Sequence, residues 1–172
     1  MIELLLLRVV HILCGMFWVG SSLFTVLFLT PVLMRAGQST ASTVMAGLQA
    51  RRLFTVLPTI GVLTIASGVR LMWITSGGFS RTYFTLPMGQ MLAWSALFGI
   101  AAFLVAMLVI RPASARALRL AAMLQEPGAS SAHETISARL GRARVLTVRA
   151  SAAAMVLVVL SAIGMAAARY AG

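Results

Sequence analysis

Lysine and aspartate are absent from this chain, and its only acidic residues are Glu3, Glu126 and Glu134. Without aspartate there is no Ser-His-Asp triad. No pair of carboxylates lies within an apolar stretch for acid–base work. There is also no Gly-rich phosphate loop, no CxxC and no HExxH. The single cysteine, Cys14, allows no internal disulfide. Charged residues make up 10% of the chain, well below the roughly 25% of soluble domains. A chain of 172 residues that is 60% hydrophobic cannot hide that surface in its own core, so lipid must cover part of it.

What charge there is has one sign. All 14 basic residues are arginines, and the formal net charge is +11. In a soluble protein such a balance would point to nucleic acid. Here no basic stripe with interleaved aromatics accompanies it, so nucleic acid is not an expected partner. The arginines instead flank long apolar runs, where they set topology and meet anionic lipid head groups.

Four such runs are present, at residues 4–33, 53–75, 91–110 and 150–168. Each is about the 20 residues needed to cross a ~30 Å hydrocarbon core as a helix, and none alternates as a barrel strand would. Glu3 stands where a signal peptide carries basic residues, and the first run is too long for a signal peptide. The expected fold is all-α: one transmembrane domain, 1–172, forming a four-helix bundle. The link between spans one and two holds Arg35, Arg51 and Arg52. The link between spans three and four holds Arg111, Arg116, Arg119, Arg139, Arg142, Arg144 and Arg149. Positive residues stay inside, which predicts both termini outside the cytoplasm. The expected location is the inner (cytoplasmic) membrane of a bacterium.

Residues 111–149 read as a cytoplasmic helical extension, broken at Glu126-Pro127-Gly128. Helix three should reach about Gln125. Helix four should start near Ala132, behind a Ser131/Glu134 capping box, with His133 in an exposed turn. Pro58 predicts a kink in span two. Ser95 and Gly99, Ala102 and Ala106, and Gly164 and Ala168 lie four apart, the spacing that lets helices approach closely in lipid. No internal repeat is evident.

Ionisable groups inside a membrane are costly, which singles out Arg8, His11 and Arg70. Span topology brings all three to the same outer half of the bilayer. Arg8, His11, Gly15, Trp18 and Ser22 share one helix face by their three- and four-residue spacing. His11 offers an imidazole, Gly15 a gap one turn below it, and Trp18 a floor to that gap. Arginines nearer the surface would pair with propionates. That set suits a porphyrin, and predicts b-type haem. A sixth ligand would come from a methionine such as Met72, Met88, Met91 or Met165. With Cys14, the same soft donors would instead suit Cu(I). A structural reading stands beside both: a span histidine that bonds a neighbouring helix, arginines that snorkel, and methionines that fill a core.

The pattern His11-x3-Gly15-x2-Trp18-x-Gly20-x3-Phe24 resembles the first helix of small four-helix membrane proteins of the CopD-like and HemJ-like group. The stretch 52–61, followed by 67–71, is similar to the second helix of HemJ-type protoporphyrinogen oxidases. It has an Arg-Leu-aromatic start and then Pro58. The resemblance covers roughly residues 5–110. It implies that His11 is a metal ligand, for b-type haem in one branch or for copper handling in the other, with an oxidoreductase activity in the first. The chain has no counterpart of the third-helix lysine of that branch; Gln90 and Met91 stand near its place. Three readings of function follow: haem-dependent electron transfer or tetrapyrrole handling, copper binding or transport, and an accessory subunit of a larger membrane complex. Homo-oligomerisation or a larger assembly would supply the partners beyond the bilayer.

Overall fold

The computed structural model describes residues 1–124 and 133–171. Among these residues the chain is helical and contains no strand. Six helices follow one another: α1 (Ile2–Arg35), α2 (Gly37–Ala50), α3 (Leu53–Thr75), α4 (Arg81–Thr85), α5 (Pro87–Met123) and α6 (His133–Tyr170), the last closing in a 3₁₀ turn at Ala168–Tyr170. Four of them, α1, α3, α5 and α6, are long and apolar enough to cross a membrane. This is a multi-pass membrane protein. Its large apolar side chains point outward: Leu13, Trp94 and Leu108 are each more than 60% exposed. In water that surface would be untenable, whereas in hydrocarbon it is the solvent-facing side.

Helix α5 runs for 37 residues. At 1.5 Å per residue it is about 55 Å long, against a hydrocarbon core of ~30 Å. That length leaves room for the extension expected at 111–149 at the ends of α5 and α6. Its break and the proposed capping box fall largely at residues 125–132, outside the described residues. His133 is the first described residue of α6, exposed, rather than part of a turn. The link between spans one and two holds a helix, α2, which the apolar-run reading does not show.

Two prolines shape the long helices. In α1 the backbone widens into a π turn at Thr25–Leu29, where Thr30 N–H donates to Thr25 O, just before Pro31. In α5 the same happens at Ala106–Ile110, where Arg111 N–H donates to Ala106 O, just before Pro112. A proline has no N–H to give and its ring crowds the carbonyl four residues back. The wider turn relieves that conflict and keeps the helix going. Pro58, by contrast, sits inside a continuous α3 with no π segment.

The helices pair as α1 with α3 and α5 with α6. The α5–α6 seam is a reciprocal fit of small residues. A Cβ on Gly164 would collide with Ser95 Oγ, and one on Gly99 would come within 3.1 Å of Ser161 Oγ. Ser95 and Ala102 are buried, as is Ala168. Small side chains let the two backbones approach, which is how packing replaces the hydrophobic effect inside lipid. The two pairs meet at a junction of three spans. There Trp18 of α1 stands edge-on to Phe103 of α5, ring centroids 6.1 Å apart, and Phe103 lies over Gly61 of α3.

The end of the bundle opposite the Arg-rich links is closed by the 76–86 connection. Gly77, Gly78 and Phe79 all have positive φ. Ser76 Oγ accepts from Phe79 N–H at 2.8 Å and fixes this turn. Trp73, Phe79, Tyr83 and Phe84 gather around it in edge and tilted contacts. The amphipathic rings among them, Trp73 and Tyr83, are of the kind that favours the membrane–water interface.

Candidate metal site on the first transmembrane seam

His11 lies on the face of α1 that packs against α3. Its Nδ1 is 2.8 Å from Thr64 O and 3.3 Å from Ser67 Oγ. A carbonyl oxygen only accepts, so Nδ1 carries the proton and donates to Thr64 O. In the neutral ring Nε2 is then the nitrogen with the lone pair. The ring rests on Gly68, where a Cβ would lie only 2.7 Å from His11 Cε1. Glycine is required there because the imidazole occupies the space a side chain would need.

The same antiparallel register continues along the seam. Gly15 faces Thr64, whose Cγ2 would sit 3.7 Å from a Cβ on Gly15, and Trp18 faces Gly61. Large residues of one helix thus alternate with small residues of the other. Thr64 and Ser67 are buried, and their hydroxyls donate back to their own helix, to Ile60 O and Leu63 O. No buried side-chain polar atom among the described residues lacks a partner.

This arrangement assigns the sequence-selected residues to different places. His11, Gly15 and Trp18 are brought onto one seam. The gap expected below His11 is filled by the Thr64 side chain, and Trp18 floors the Gly61–Phe103 junction instead of a cleft under the imidazole. The residues therefore do not fit a porphyrin lying over Gly15. Arg70 is at the same end of the bundle, but its Nε and Nη2 donate to Glu3 Oε1 at 2.9 and 2.7 Å. Span ends bring the two together: Glu3 opens α1 and Arg70 lies five residues before the end of α3. Its guanidinium is committed to a carboxylate of this chain. Arg8 is exposed and makes no ion pair among the described residues.

The soft donors are distributed over both seams. Met72 lies one turn beyond Gly68, hence on the face of α3 that packs against α1, and it is half-buried. Cys14 is half-buried, three residues from His11 on a neighbouring part of the same face. Met91 belongs to the other seam: its carbonyl accepts from Ser95 Oγ at 2.6 Å and lies near Gly164. No three His, Cys, Asp or Glu side chains among the described residues cluster for a metal.

Thr64, Ser67 and Gly68 are the residues sequence reading missed. The signal was present in Gly61, Thr64, Ser67 and Gly68, small or hydroxylated residues at intervals of three and four that complement the His11–Gly15–Trp18 stripe. No family model, curated protein or solved structure matches this chain.

Proposed function

We propose that this protein binds a metal within the bilayer through Nε2 of His11, and that copper(I) is the metal. The observation that carries the reading is the Nδ1–H···O=C bond to Thr64. Metal-ligating histidines characteristically donate their other ring nitrogen to a carbonyl, which sets tautomer and ring orientation. A bare ion needs none of the flat clearance that Thr64 removes beside Gly15. Cys14 and Met72, flanking His11 on α1 and α3, are soft donors of the type Cu(I) prefers. The activity that follows is copper binding or transfer at the membrane. Haem b is the second reading, favoured by the same free Nε2 and by Arg8, which is available to a propionate. It requires the macrocycle to approach from outside the α1–α3 seam.

The test is metal analysis and an absorption spectrum of full-length protein, purified in mild detergent from cells supplied with copper and haem. The expected result is about one copper per chain and no Soret band, with copper lost in His11→Ala and in His11→Asn. The asparagine variant matters because its amide can still donate to Thr64 O while offering no ring lone pair. It separates loss of a ligand from loss of the seam. A Soret band at about 410–430 nm that disappears in both variants would replace copper with haem. Metal-free, colourless protein would overturn both.

A further inference from the structure

The strongest unassigned feature lies at the opposite end of the bundle, where the ends of α5 and α6 run side by side. Ala113 and Leu140 are buried between them, so these extensions pack on each other. Alongside that contact is an open groove of about 510 Å³ walled by Arg116 and Arg119 from α5 and Arg139 and Arg142 from α6. Its floor is apolar, formed chiefly by Leu120, Met123 and Leu146. A second, shallower hollow of about 420 Å³ on the surface of α6 alone adjoins it, sharing Arg142 and Leu146 and adding Arg149 and Val145.

Helical spacing explains the convergence. Arg116, Leu120 and Met123 fall at four and three residues on α5; Arg139, Arg142 and Leu146 do so on α6. Two amphipathic stripes thus face one space. None of these arginines is ion-paired among the described residues. Glu126 lies outside the described residues, and one carboxylate would not balance four guanidiniums. Like charges held on rigid, packed helices repel, and an anion between them removes that cost. Guanidinium groups match phosphate oxygens in pairs.

We propose that these grooves bind an anionic phospholipid carrying two phosphates, one held by Arg116, Arg119 and Arg139 and the other by Arg142 and Arg149. Val145 and Leu146 are each about half exposed and lie between Arg142 and the apolar run that begins at Ala150, so they give the acyl chains an apolar track toward the bilayer. A soluble phosphate would have no use for that track. Basic pockets between membrane helices recognise lipid head groups through this same combination. The inference is independent of any metal at His11.

The experiment titrates full-length detergent-solubilised protein with diphosphatidylglycerol, with phosphatidylcholine and inorganic pyrophosphate as comparison ligands. Binding is read by native mass spectrometry, and circular dichroism confirms that each variant keeps its helicity. The expected result is selective binding of diphosphatidylglycerol, weakened about 30-fold in Arg116→Gln/Arg139→Gln. That ratio is about 1 kcal/mol for each basic residue removed. Arg35→Gln/Arg51→Gln removes the same charge from the other link and should bind as the unaltered protein does. Equal weakening in both pairs, no weakening in either, or pyrophosphate binding as tightly as the lipid would each overturn the proposal.

Discussion

Individual side chains on the two seams act by filling or leaving space. Gly164 and Ser95 are the sharpest case, because a Cβ on the first has nowhere to go except into the hydroxyl of the second. Gly164→Ala should lower the thermal stability of the purified protein by about 1–3 kcal/mol, the usual cost of overpacking. Ser95→Gly introduced alongside it should recover most of that loss. A thermal-unfolding cycle over the four proteins would show the coupling; additive effects would mean the two residues do not meet. Gly68 and His11 present the same relation on the other seam, where the ring fills the space of the missing side chain. A histidine on an apolar helix can be noticed from sequence. Its tautomer cannot, since that depends on a carbonyl 53 positions away.

At the scale of the element, proline position and helix continuity are linked. Pro31 and Pro112 each follow a π turn, placed so that the residue before the proline bonds five residues back instead of four. The prolines can be read in sequence, but they would ordinarily be taken as breaks. Here the helices absorb them and α1 reaches Arg35 and α5 reaches Met123. A widened turn shifts the register of everything beyond it, so Pro112 determines which face of the α5 extension meets α6. Replacing it with alanine should allow an ordinary turn and rotate the extension by roughly 100°, one residue's worth of helical turn. Ala113 is buried at 2% exposure. In a Cys14→Ser background, Ala113→Cys should therefore resist a polar maleimide. It should become reactive once Pro112→Ala is added. Equal labelling in both backgrounds would show that the proline does not govern this packing.

The whole molecule is polarised. One end carries the aromatic turn around Phe79 and the Glu3–Arg70 pair; the other carries ten of the fourteen arginines, on the two links. The positive-inside rule predicts that these links lie in the cytoplasm and both termini across the membrane from them. Alkaline phosphatase fused to either terminus should be active in a bacterial host and a fluorescent protein there should be dark. The reverse pattern would invert the topology. Four long apolar helices and this charge asymmetry were legible in the sequence, because each depends on local composition over some 20 residues. Helix α3 coincides with the second apolar run at both ends, Leu53 and Thr75. Helix α2 was not legible: it has no long apolar run, and its small and hydroxylated residues give little helical signal on their own.

By itself, then, the order of residues determined that the chain enters lipid, how often, and which end collects positive charge. Those properties follow from transfer free energies summed along short windows. Only the tertiary structure decided what stands opposite the His11 stripe, that Glu3 takes Arg70, and that arginines from α5 and α6 line a shared groove. Each of these joins residues distant along the chain. Seam register and the π turns bring them together, and neither can be counted from one helix alone.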